Sequence, residues 1–158
     1  MTEPTKERSR AIEAFLAANG WPNARHFSLA ADASFRRYER VIDGPRLAVL
    51  MDAPPDLEDV HAFAIMARHL RRLGFSAPEV LAEDSGNGFL LLEYLGDDTF
   101  SRLLAKGESE EELYGLAVDV LAALHTLPAA AAPGWLDAYD EEKLLEEASW
   151  FTDWYLPA

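Results

Sequence analysis

Apolar side chains at Ile12, Phe15 and Leu16 recur at helical spacing within residues 5–18, and Asn19-Gly20 closes that segment, which predicts an amphipathic helix. Three short runs rich in β-branched and aromatic residues follow, Phe27–Ala30, Phe35–Ile42 and Leu47–Met51, and predict strands. The breaks between them are "ADAS", whose small polar Asp32 and Ser34 tolerate a tight turn, and "DGPR", whose Asp43-Gly44 is a hairpin signal. Pro54-Pro55 ends the strands. Asp56 is placed to cap a helix running to Leu73, with Leu57, Val60, Phe63, Ala67, Leu70 and Leu73 on one face and Gly74 closing it. Glu58 and Asp59 in its first turn and Arg68, Arg71 and Arg72 near its end suit the helix dipole.

"APEVLAED" and "GFLLLEYL" predict two more strands around the turn "SGNG". Ser109 and Glu112 form a capping box for a helix through Thr126, with a stripe of Leu113, Leu116, Ala117, Val120, Leu121 and Leu124. Pro128 ends it, "AAAAPG" is a linker, and "EEKLLEEASWFTDWYL" predicts a last amphipathic helix. The order predicts an α+β fold: a five-stranded antiparallel sheet with one helix inserted after its third strand, followed by helices alone. No internal repeat interrupts this order.

Composition narrows the function. The 158 residues carry 14 Lys and Arg against 28 Asp and Glu, a formal charge of −14. That field repels nucleic acid and anionic membranes, so neither is expected as a partner, although an anionic ligand in a local basic pocket remains compatible. The chain has no cysteine, which excludes disulfides, thiolate catalysis and Cys-based metal sites. The amino terminus has no apolar signal-peptide core and no apolar run spans a bilayer, so the expectation is a soluble cytoplasmic protein. His26, His61, His69 and His125 have no metal-ligand spacing and are expected to be structural.

Against the acidic background, Arg36 and Arg37 stand side by side in "DASFRRYERV". Four stretches, "DASFRRYERV", "LAVLM", "FLLLEYLGD" and "LAVDVLAALHTLP", resemble in order the phosphate-loop hairpin, third strand, hinge and second-lobe entry helix of the protein-kinase-like fold. The resemblance is to its small-molecule branch, the aminoglycoside phosphotransferase family. Within that family "DASFRRY", "LMDAPP", "SAPEVLAED", "LLLEYLGD" and "DWYL" are similar to phrases of the bacterial cell-wall amino-sugar kinases, anomeric kinases of N-acetylmuramate and N-acetylglucosamine. It covers nearly the whole chain and implies a kinase-like amino-terminal lobe over 1–95 and an incomplete helical second lobe over 96–158. It also implies ATP and Mg2+ as the nucleotide and metal, and an amino sugar as the small-molecule substrate.

The resemblance assigns the nucleotide to Asp32, Ala33, Ser34, Phe35, Arg36, Arg37, Met51, Glu93 and Leu95. Phe35 falls at the hairpin tip, and adenine would bond the Glu93 carbonyl and the Leu95 N–H. The hairpin has small residues for close approach to phosphate but no glycine, and a guanidinium can compensate for a weak backbone cradle. Adjacent strand residues face opposite ways, so only one arginine can address the cleft directly. Met51 occupies the position of the third-strand lysine that in protein kinases holds phosphate and pairs with a helix glutamate. The arginines are read as its substitute, and plain core packing explains Met51 equally well. Asp52 is read as a turn cap or a cleft residue.

The expected catalytic chemistry is incomplete. No histidine is followed two residues later by aspartate, and neither "D-F" nor "D-x-D" occurs, so no catalytic or metal-binding residue is assigned. Asp97, Asp98, Asp137, Asp140 and Asp153 lie in other contexts. The expectation is a partial sequence, inactive alone, with Trp150, Phe151, Trp154 and Tyr155 supporting self-association. The rival expectation is a non-catalytic, pseudokinase-like or adaptor module that binds a protein partner.

Overall fold

The computed structural model describes residues 5–29 and 35–156. By compactness the chain divides into two units, 1–121 and 122–158. The first opens with helix α1 (Lys6–Ala18), capped by the Thr5 hydroxyl, which accepts from the Arg8 N–H. Strands β1 (Arg25–Ser28), β2 (Arg37–Asp43) and β3 (Arg46–Asp52), helix α2 (Val60–Arg72), and strands β4 (Val80–Asp84) and β5 (Phe89–Glu93) follow. They form one five-stranded antiparallel sheet in the order β1-β2-β3-β5-β4. This is the α+β order that the pattern predicts, and it is consistent with the kinase-like amino-terminal lobe that the resemblance implies.

Helices cover both faces. The α1 residues Ile12, Phe15 and Leu16 pack on one face with Trp21, Val41, Ala48, Leu50, Phe89 and Leu91, and the Phe15 and Phe89 rings lie 5.5 Å apart. On the other face Val60 and Ala64 of α2 pack with Met51, Ala53, Leu90 and Leu92. Burial on both sides explains why "LAVLM" and "FLLL" run continuously apolar instead of alternating.

Three local readings change. The cap of α2 is Asp59, whose carboxylate accepts from the N–H groups of His61 (2.8 Å) and Ala62 (3.2 Å), and not Asp56. After Pro54-Pro55 the chain first turns, with Leu57 and Glu58 N–H groups bonded to the Pro54 carbonyl, and the helix starts later. A short helix, α3 (Phe100–Ala105), capped by Thr99, was not predicted: six residues are too few to show a period. Helix α4 (Glu110–His125) takes the expected Ser109 cap, yet among its residues only Leu113 is buried.

In the second unit a 3-10 turn at Ala129–Ala131 precedes α5 (Glu141–Trp150), which Asp140 caps and a π-turn at Phe151–Tyr155 extends. Trp150, Phe151, Trp154 and Tyr155 are exposed, Trp154 by 80%.

Helix α2 is tied to the sheet by Glu83, which accepts from His61 (2.8 Å), Arg68 (2.7 Å) and Ser85 (2.8 Å). Burial alone would raise its carboxyl, but these hydrogen bonds outweigh it and pull the pKa from 4.5 down to about 2. A depressed carboxyl contributes stability that is present above its unfolded value and lost as pH falls toward 2. With His61 and Arg68 exposed, the contribution is about 1–2 kcal/mol. In urea unfolding, Glu83→Gln should trail the wild type by that amount at pH 6. The gap should close between pH 4.5 and 2; a constant gap across that window would refute the assignment.

Candidate functional site

The site is built on the end of the sheet where β2 and β3 pair Arg37 with Asp52 and Tyr38 with Met51. Directly opposite residues share a face, and Met51 packs on the α2 face with Tyr38 beside it. One step along, Phe27, Arg40, Val49 and Leu92 stand opposite one another and so share that face. Helix α2 packs against β4 and β5, and half-exposed Phe27 marks the part of this face over β1.

The two arginines separate as strand alternation requires. Arg36 reaches Glu58, just before α2, through Nε and Nη2, each at 2.9 Å, and its guanidinium lies 6.0 Å from the Phe63 ring centroid. Burial by itself would lower the Arg36 pKa, but hydrogen bonds to Glu58 and Tyr38 leave it raised, so its charge is secure. Arg37 takes the α1 face, where its Nη2 donates to Asp52 Oδ2 at 2.5 Å.

Asp52 is neither a turn cap nor a cleft-facing group. It is fully buried at the end of β3, and its Oδ1 accepts from Arg8 Nε (2.9 Å) and Nη2 (2.6 Å). Arg8, on α1, stacks 4.1 Å from the Phe89 ring centroid. Sequence reasoning missed both Glu58 as a partner and the Arg8–Asp52–Arg37 cluster. The readable signal was an aspartate closing an otherwise apolar strand, since a carboxylate there must be paired.

Of the other expected site residues, Met51 is fully buried among apolar neighbours and Phe35 is exposed. Asp32, Ala33 and Ser34 lie outside the described residues. Glu93 ends β5 with its carboxylate bonded to Arg71 Nη1 (2.9 Å) and the Glu79 N–H (3.0 Å), and Leu95 is exposed just beyond. The same segment is tied to β2. Arg40 pairs with Asp97 and lies 5.1 Å from the Tyr94 ring centroid, while its Nε is buried without a hydrogen-bond partner. The Tyr94 hydroxyl and the Arg40 charge hold the Asp97 carboxyl below its ordinary value.

Among the described residues no three histidine or acidic side chains cluster as a metal site, and no helix is long and apolar enough to cross a membrane.

Comparison with known proteins gives this geometry its setting. The model of the phosphotransferase enzyme family (APH) matches residues 28–158. The chain is 44% identical over 144 residues to an N-acetylmuramate/N-acetylglucosamine kinase of Pseudomonas aeruginosa, covering 89% of this chain and 41% of that protein. It is 38% identical over 151 residues to the protein of that name from Caulobacter vibrioides, covering 78% and 42%. For the one from Neisseria meningitidis the figures are 34% over 129 residues, 80% and 38%. The chain thus spans about two fifths of the length of the curated relatives it matches.

Proposed function

This chain belongs to the phosphotransferase enzyme family, and from that premise we propose that it forms the nucleotide-holding part of an ATP-dependent amino-sugar kinase. The reaction is transfer of the γ-phosphoryl group of ATP to the anomeric hydroxyl of N-acetylmuramate or N-acetylglucosamine, in recycling of cell-wall sugars. The sugar oxygen forms the new P–O bond, ADP leaves, and the hydroxyl proton passes to a base. The relatives' names support the substrate class.

One observation carries the nucleotide assignment: Arg36 stands on the α2 face beside the row that contains Met51, and Glu58 holds it. In protein kinases a third-strand lysine and a helix glutamate form the ion pair that orients phosphate. Here the strand position is an uncharged methionine, and the cation comes from the residue just before the neighbouring strand and the acid from the turn before the helix. A guanidinium pinned by a carboxylate is preorganised to offer N–H donors to phosphate oxygens. Within this reading the partly buried Tyr38 and Val49 form the apolar ceiling of the nucleotide, with fully buried Met51 packed behind them, and the backbone of Glu93 and Leu95 addresses the base. Mg2+ would accompany ATP, and the described residues offer it no ligand cluster.

Calorimetric titration with ATP tests the proposal. The wild-type chain should bind, and Arg36→Ala should weaken binding by about tenfold or more, the loss of one charged hydrogen bond to phosphate. Equal affinities would remove Arg36 from the nucleotide site.

A further inference from the structure

Two adjacent arginines are chemically equivalent, and a slip of one residue in a strand exchanges the faces they serve. The tight turn after Asp43 fixes register at the closed end of the β2–β3 hairpin, where Asp43 stands opposite Arg46, but β2 fully buries only Val41, and Arg36 lies one residue beyond the last rung, Arg37 opposite Asp52. At that open end, where strands fray, side-chain contacts hold Arg37 on the α1 face and Arg36 on the other.

We propose that Asp52 sorts the pair: it claims Arg37 on the α1 face and so commits Arg36 to the opposite face, while Arg8 holds the Asp52 carboxylate in place. Three observations support this. Arg37 and Asp52 are direct cross-strand partners, and the contact between them is 2.5 Å. The Asp52 carboxylate is fully buried, and a buried carboxylate with one partner removed is a large penalty, so with the register set by the turn the cluster opposes fraying of Arg37 from the last rung. Arg8 already supplies one guanidinium to Oδ1 and Arg37 another to Oδ2, so a third cation is repelled from this face and finds its acid at Glu58.

Asp52 and Arg8 are therefore positioning residues, acting on the nucleotide only through Arg36. The packing of α1, through Arg8 on the Phe89 ring, is linked to which arginine meets phosphate. This consequence rests on the proposed nucleotide site; the sorting itself does not.

The double variant Arg8→Met/Asp52→Asn tests it, because it removes the buried carboxylate together with one of its two cations, and Arg37, a quarter exposed, can turn to solvent, so no charge is left buried alone. Two measurements are made on the full chain. The first is the side-chain Nε–H NMR signals of Arg36 and Arg37, assigned with Arg36→Lys and Arg37→Lys. The second is ATP affinity in the wild-type and double-variant backgrounds, each with and without Arg36→Ala. Sorting predicts that the Arg36 signal of the double variant moves and loses its exchange protection. It also predicts that ATP affinity drops about tenfold and that Arg36→Ala then costs little more. A merely structural cluster would shift melting temperature while leaving the Arg36 signal and the full effect of Arg36→Ala intact, and that result overturns the proposal. If the wild-type chain binds no ATP, the nucleotide reading fails, and an unmoved Arg36 signal would still be needed to refute the sorting.

Discussion

Replacing Gly88 with alanine should destabilise the first unit by about 3 kcal/mol or more, and lower its melting temperature by on the order of 10 °C. Gly88 closes the "SGNG" turn before β5 with φ +71, a left-handed conformation that costs a side-chain-bearing residue about 1–2 kcal/mol. A Cβ there would stand 1.8 Å from the Ala53 carbonyl oxygen and 3.0 Å from its carbon, closer than any real contact. The neighbour cannot yield cheaply. The Ala53 N–H donates to the Gly88 carbonyl at 2.9 Å, and Ala53 is buried in the α2-face core. Relief requires parting the end of β3 from the start of β5, beside Asp52 and Met51. Gly86→Ala, two residues earlier, is the control: its Cβ would meet only the Asp84 carboxylate, at an ordinary 3.6 Å. Thermal melts should separate the two variants widely, and similar melting points would show that the turn relaxes freely.

That contact shows where sequence reading succeeds and where it stops. The five strands and the helices on both faces were legible because their signals are local: apolar runs, Asp43-Gly44, and the cap at Ser109. Their ends were less so. The second strand begins at Arg37 rather than Phe35, and the first spans Arg25–Ser28, because pairing with a partner strand decides where a strand starts. The Asp56 and Asp59 carboxylates look equally able to cap; the turn stapled to the Pro54 carbonyl chose between them.

At the site, alternation indicated that Arg36 and Arg37 part company, and the contacts follow that alternation. Their partners were not legible. Glu58 lies 22 residues from Arg36, Asp52 lies 15 from Arg37, and Arg8 lies 44 from Asp52, distances over which only the folded sheet makes neighbours. The stripe on α4 carried a strong helical period that correctly gave a helix, but period says nothing about what covers it. Among the described residues Leu116, Val120 and Leu121 are exposed.

Met51→Lys, which writes the protein-kinase residue into this strand, should unfold the first unit more readily by about 4 kcal/mol at pH 7 instead of creating a better phosphate site. The Met51 side chain is fully buried against Ala53, Val60, Ala64, Leu90 and Leu92, with Tyr38, Val49, Phe63 and Val80 around them, and no carboxylate in that group. The neighbouring acid, Glu58, is engaged by Arg36. An ammonium there loses its hydration without a partner, so burial lowers its pKa by about 3 units, each worth about 1.4 kcal/mol. The sign follows from the unfolded chain, which keeps the lysine protonated up to about pH 10.4. The penalty is therefore complete below the depressed folded pKa and shrinks as pH rises through about 10.4, above which both states are neutral. Urea unfolding of Met51→Lys at pH 7 and pH 10 should show this recovery. Met51→Leu, which conserves volume and polarity, should cost less than about 1.5 kcal/mol at either pH. If Met51→Lys matched the wild type at pH 7, the α2 face would already hold a place for an ammonium, and Arg36 would not be its substitute. On the proposed reading, the loss expected at Met51 and the pairing of Arg36 with Glu58 belong together: a fully buried apolar position in β3 has no place for an ammonium, and the guanidinium just before β2 offers a cation on the same face.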